Sequence, residues 1–231
     1  MQLLHSIQLE ELSPCPYLPG RDKCYEYFLA EQLSAAEISA YLELGWRKFG
    51  IYYFRPACPG CRVCTPLRIP VGAFVPSRSQ CRVLKKCAAL DVRFGPLQFS
   101  ARALAISRDH SRRRFGQEGD VEEFLLNFYL PSCPGLQTEI FRGAEMIGVG
   151  FLDRGENCLS SVYFCFDTAC SGLNLGTFSI LKEIEQAQRL GLSYYYLGYC
   201  VADCPALAYK NRFRPHQYFD WAKQIWFDVD S

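Results

Sequence analysis

Residues 135–199 switch between two periodicities in a fixed order, and that order restricts the fold more than any other feature of the chain. EIFRGAEMIGVGFLDRG carries β-branched and aromatic residues on both sides of Gly143, which predicts a hairpin, and LSSVYFCF predicts a third strand. NLGTFSILKEIEQAQRLG then takes up helical spacing, with Leu175, Phe178, Leu181, Ile184 and Ala187 on one face and a stop at Gly191. SYYYLGY follows as a fourth strand. The order is β-β-β-α-β, which predicts an α+β class built on a mixed sheet.

Upstream, Ser34 with Glu37 forms a capping-box pattern that opens a helix over 34–44 and ends it at Gly45. WRKFGIYYFR, 46–55, predicts a strand that leads into CPGCRVC, and PLRIPV, 66–71, predicts the next. The cysteines therefore fall on a loop. Residues 77–89 and 98–115 read as basic helices, and Asp120 with Glu123 caps a further one. SCPG, 132–135, is the clearest turn-rich break, dividing an N-terminal half, 1–131, from a C-terminal half, 132–231.

The chain has 231 residues, 49% apolar, with no run of about 18 apolar residues and no basic flank before an apolar stretch at its start. A cytoplasmic globular protein is expected. Thirteen cysteines is an odd number, in a chain too large for a disulfide-stapled scaffold, so free thiols or a metal site are expected instead. The net charge of +1 excludes nucleic-acid binding by bulk charge and leaves room for a local basic face.

Five collinear segments, CPYLPGR (15–21), YFRPACPGCRVCTPLRIP (53–70), FVPSRSQCRVLKK (74–86), LGTFSILKEIEQAQRLGLSYYYLGY (175–199) and AYKNRFRP (208–215), resemble the bacterial aminoacyl-tRNA:protein transferases of the N-end rule, relatives of the arginyltransferases. The resemblance implies a duplicated GNAT-like acyltransferase fold with an N-terminal cysteine-containing loop. It also implies transfer of an amino acid, leucine first and arginine as the alternative, from aminoacyl-tRNA to proteins that begin with Asp or Glu, which marks them for degradation. Where the family has Cys-x-Lys-Met, this chain has Cys204-Pro205-Ala206-Leu207. A metal-dependent tRNA-binding module without transferase activity is the reading from another class. An enzyme using acyl-CoA is a third, and NLGTF lacks the glycine-rich nest that a pyrophosphate would need.

Such a reaction needs no cofactor, because the donor ester is activated and the acceptor amine, with an ordinary pKa of about 7.7–8.0, is partly neutral near pH 7. Positioning and a modest acid-base group suffice. The candidates are Asp153 and Tyr163; their plainer readings are a turn-starting aspartate and a core tyrosine. Cations for tRNA phosphates are Arg78, Arg82, Lys85 and Lys86 on one helical face, and Lys210, Arg212 and Arg214 near the C-terminus, where Tyr209 and Phe213 could stack on unpaired bases. Arg55, Arg62 and Arg68, around the cysteine loop, are the candidates for an acidic N-terminus. Cys58, Cys61 and Cys64, with Cys15 as a fourth ligand, are compatible with an iron-sulfur cluster or zinc, and equally with buried or redox-active thiols.

Overall fold

The computed structural model describes residues 1–116, 118–130 and 132–229. Its larger sheet has eight strands in the order Ile225–Asp228, Gln217–Asp220, Thr65–Pro70, Tyr194–Cys200, Cys158–Phe166, Glu145–Arg154, Gly135–Arg142, Asp91–Gly95. Among the described residues its one parallel junction joins Cys158–Phe166 to Tyr194–Cys200; the other pairings are antiparallel. That junction follows from the chain path, since the helix Leu175–Arg189 carries the backbone over the sheet between the two strands. The expected mixed sheet is therefore present.

A smaller sheet, ordered Gln2–Leu9, Tyr25–Glu31, Tyr52–Pro56, Arg47–Phe49, is antiparallel throughout. The single strand expected over 46–55 is a hairpin. It turns at Gly50, whose φ of +53° is accessible to glycine at little cost, and whose N–H donates to the Asn127 carbonyl at 3.0 Å. A Cβ there would stand 2.3 Å from the Leu126 carbonyl oxygen.

Helices cover both faces of the large sheet. Phe151 and Leu152 are consecutive on one strand and so point to opposite faces. Phe151 packs with Ala103, Ile106 and Phe124 of the helices Ala101–Phe115 and Val121–Phe128, while Leu152 packs with Ile180, Leu181 and Ile184 of Leu175–Arg189. The five residues expected on the buried face of that last helix are all buried. The Ser34 capping box forms as expected, and Ser77 with Gln80 makes a second one at the start of Arg78–Lys86. Among the described residues no helix is long and apolar enough to cross a membrane.

Candidate active site

The parallel strands stay paired only from Cys158 to Ser160, opposite Tyr194 to Tyr196, and then separate. The resulting fork exposes backbone carbonyls that no neighbouring strand satisfies, and two cations meet them. Arg47 Nη2 donates to the Ser161 carbonyl, and Lys210 Nζ donates to the Tyr199 carbonyl at 2.9 Å. Gly198, at φ +84°, makes room for both: a Cβ there would lie 3.3 Å from Lys210 Nζ and 3.6 Å from Arg47 Nη2. Arg47 Nη1 is buried and has no hydrogen-bond partner. Burial pushes the Arg47 pKa down, and burial followed by Arg47 itself pushes Lys210 down to about 7. Two adjacent half-buried cations repel each other, so added negative charge at the fork would be favourable.

On the helix side of the sheet, Glu183 is 1% exposed and accepts hydrogen bonds from Ser179 Oγ and Tyr195 Oη. Burial raises its carboxyl to about 7, and the two donors only partly offset that. Gly150 lets it in, since a Cβ there would come 3.2 Å from Glu183 Oε1.

On the other face Asp153 meets Lys48, the neighbour of Arg47. Their charged atoms are 3.0 Å apart, and Cys133 Sγ donates to the same carboxylate oxygen at 3.4 Å. Tyr163 lies one row further along its strand. Its hydroxyl is 3.2 Å from His110 Nδ1, and burial pushes the tyrosine up to about 12 and the histidine down to about 4. Phe128 stacks on both Phe151 and Tyr163, so it stands between the Asp153 site and a cavity of about 320 Å³ that Tyr163 lines.

Two of the basic clusters expected from sequence come together. Gln80, in the first turn of Arg78–Lys86, donates to the Arg212 carbonyl at 3.1 Å, and Arg78, Arg82, Lys85, Lys86, Arg212 and Arg214 are all exposed. Lys210 sits apart from them in the fork. Tyr209 is half-buried against the core, and Phe213 is 1% exposed with its ring against Phe74. Of the three arginines near the cysteine loop, Arg68 is held on every side: Glu43 and Gln217 take its nitrogens, and Tyr194 and Trp226 cover its faces. Arg55 pairs with Glu26 at 2.5 Å over the Trp46 ring, and Arg62 bonds the carbonyls of Cys58 and Cys61.

The loop thiols share a neighbourhood without sharing a centre. Burial, then the nearby Cys58, Cys15, Cys61 and Cys204, pushes Cys64 up to about 12. Cys58 turns inward, accepting from the Cys24 amide at 3.4 Å and donating to its carbonyl at 3.5 Å. Among the described residues no three His, Cys, Asp or Glu side chains are grouped so as to hold a metal ion. As arranged, Cys15, Cys58, Cys61 and Cys64 do not form a ligand set for zinc or an iron-sulfur cluster.

Sequence reasoning missed Arg47, Lys48, Glu183, Tyr195 and Gly198. One signal was available: WRKF places two cations inside an aromatic strand-like run, where they must be either edge residues or buried partners.

The family model described as Arginine-tRNA-protein transferase, N terminus, matches residues 13–82, and the one described as Arginine-tRNA-protein transferase, C terminus, matches 103–220. Arg47 falls in the first region, Lys210 and both fork strands in the second. An aspartate/glutamate leucyltransferase of Chromobacterium violaceum is 37% identical over 209 residues, covering 88% of this chain and 86% of that protein. One from Halorhodospira halophila is 35% identical over 216 residues, covering 89% and 90%. Among solved structures, FemX aligns over 70% of this chain and 59% of its own at 7% identity and a TM-score of 0.46.

Proposed function

Because the chain belongs to the arginine-tRNA-protein transferase family, we propose that it transfers leucine from leucyl-tRNA to the α-amino group of proteins beginning with Asp or Glu, in the cytoplasm, as a mark for N-end rule degradation. The observation that carries this reading is the half-buried pair Arg47 and Lys210 at the fork, with Arg47 Nη1 buried and unpartnered. In aminoacyl transfer the amine nitrogen attacks the ester carbonyl. The new C–N bond places a negative charge on the former carbonyl oxygen, and collapse breaks the bond to the tRNA 3′-terminal oxygen, which leaves with a proton derived from the amine. A preorganised cationic site costs no reorganisation as that oxyanion forms, and it is stronger out of water. No cofactor enters the chemistry.

In this reading Asp153 is a positioning residue, locking Lys48 and so the strand that carries Arg47, while Tyr163 shapes the space beside the reacting carbon. Arg78, Arg82, Lys85, Lys86, Arg212 and Arg214 contact tRNA phosphates, with Tyr209 beside them. Arg62, which meets the backbone carbonyls of Cys58 and Cys61, is the cation for an acidic first residue; Arg55 and Arg68 already hold Glu26 and Glu43. The GNAT-like identity of the fold belongs to the same reading. It rests on the order of elements from Asp91 to Asp228 and on the parallel fork, which the antiparallel smaller sheet lacks.

The test is a transfer assay with labelled leucyl-tRNA and arginyl-tRNA, each offered to peptides differing only in a first residue of Asp, Glu, Lys or Ala. Leucine moving onto the Asp and Glu peptides alone is the expected result. Transfer from neither tRNA to any peptide would overturn the reading in favour of a tRNA-binding module.

A further inference from the structure

The cavity that Tyr163 lines lies between the helices Ala101–Phe115 and Val121–Phe128 and the strand Arg47–Phe49, and its volume is about 320 Å³. Its floor is aromatic and its rim carries three carboxylates and one cation. Phe49, Phe128 and Tyr163 form the floor; Glu118, Asp120 and Glu123 stand at the rim with Arg108, which donates to the Gly119 carbonyl at 3.3 Å. The floor is held in place from outside. His110 takes the Tyr163 hydroxyl, and Phe128 is fixed between its stacking contacts with Phe151 and Tyr163. On the rim, Asp120 caps the helix amides of Glu122 and Glu123, Glu118 pairs with Arg112 at 3.0 Å, and Glu123 accepts a long 3.5 Å contact from Asn127.

The cavity adjoins the fork. Phe49 follows Arg47 by two residues on one strand and so shares its face, while a bulge at Val162 turns Tyr163, just beyond the Ser161 carbonyl that Arg47 holds, to the face of Phe151 that the cavity adjoins. An aminoacyl ester presents three groups from one carbon: the carbonyl, an ammonium and a side chain. With the carbonyl at Arg47 and Lys210, the other two would extend along the strand Arg47–Phe49 towards the cavity that Phe49 and Tyr163 line. An apolar floor suits an alkyl side chain, and a carboxylate rim suits an ammonium.

We propose that this cavity is the donor's aminoacyl pocket, holding an aliphatic side chain against Phe49, Phe128 and Tyr163 and the α-ammonium at the Glu123 side of the rim. The proposal rests on the transfer reading for the position of the carbonyl and adds the origin of donor choice. A leucyl side chain gains from leaving water for this floor. An arginyl side chain would have to shed hydration and place a second guanidinium beside Arg108, which lines the same cavity.

The experiment uses unreactive 3′-aminoacylamino adenosines in calorimetry with the whole chain, alongside transfer from one tRNA body charged with Gly, Leu, Phe or Arg. The leucyl analogue is expected to bind about tenfold or more tighter than the glycyl one, and tighter than the arginyl one. Phe49→Ala should shift the preference from leucyl towards phenylalanyl. Glu123→Gln, an exposed change with little risk to folding, should abolish the preference for leucyl over its des-amino counterpart while keeping that for leucyl over glycyl. An unchanged order of analogues in both variants would overturn the pocket, even if wild-type transfer proceeds. Conversely, an absence of transfer together with the expected binding order would retire the transfer reading and leave the pocket standing. A shift in preference among acceptor peptides rather than donors would assign the cavity to the acceptor, and the proposal would fall.

Discussion

Lys48 Nζ lies 3.0 Å from Asp153 Oδ1, and the two side chains are 7% and 6% exposed. A buried pair of this kind is nearly neutral as a unit, but removing one partner leaves an uncompensated charge. Asp153→Ala is therefore expected to destabilise the fold by about 3–5 kcal/mol, and the double variant Lys48→Met with Asp153→Leu to recover most of that loss. Urea unfolding of the three proteins measures both. A double variant as unstable as the single one would mean that shape, not charge, holds the site.

Glu183 supplies a pH signature. Its folded carboxyl titrates at about 7, against 4.5 for an unperturbed glutamate, because burial disfavours the charged form. Between those values the native state binds more protons than the unfolded state, so stability falls as pH rises through the window. Glu183→Gln keeps an acceptor for Ser179 and Tyr195 and removes the titration. Relative to the variant, the wild type should lose on the order of 3 kcal/mol between pH 4.5 and 7.5. Parallel stability curves across that range would show that Glu183 stays ionised or does not titrate there.

What could be read before the structure differs by the range of the interaction. The helix Leu175–Arg189 was legible because its face, stop and length are all set by residues within one segment. The exposed cations of Arg78–Lys86 were legible for the same reason. The hairpin at Gly50 was not, since it answers to a carbonyl 76 positions away, at Leu126. Arg47 depends on Ser161, 114 residues distant, and Lys48 on Asp153. Nothing local in either segment records these partners. Phe213 shows the opposite failure: its setting among Lys210, Arg212 and Arg214 suggested a stacking surface, while the fold turns it against Phe74.

The tRNA surface makes a separable prediction. Arg82 and Arg212 are exposed on two elements that Gln80 ties together. If both touch phosphates, replacing each with Ala should reduce the slope of log affinity against log salt by about 0.7–0.9, additively, with no change in melting temperature. Fluorescence anisotropy with deacylated tRNA at several salt concentrations reads the slope. Unchanged slopes in both variants would remove this face from the donor's path.

The fork itself is tested most sharply by changes that keep its charge. Arg47→Lys retains a cation but gives up the planar pair of nitrogens, of which Nη2 holds the Ser161 carbonyl and Nη1 has no partner. If Nη1 meets charge that develops only in the transition state, the single-turnover rate should fall about 10²–10³-fold while affinity for deacylated tRNA stays the same. Gly198→Ala reaches the same site from the backbone. Its methyl would sit 3.3 Å from Lys210 Nζ and 3.6 Å from Arg47 Nη2, at a φ of +84° that costs a non-glycine residue about 1–2 kcal/mol. It should slow transfer as well, with a modest drop in melting temperature. A role in ground-state binding would instead raise KM and weaken tRNA affinity with kcat preserved, since only interactions strengthened in the transition state change the chemical step. The split between kcat and affinity in Arg47→Lys therefore decides whether the two cations at the fork act on the reacting carbonyl or merely anchor the chain that delivers it.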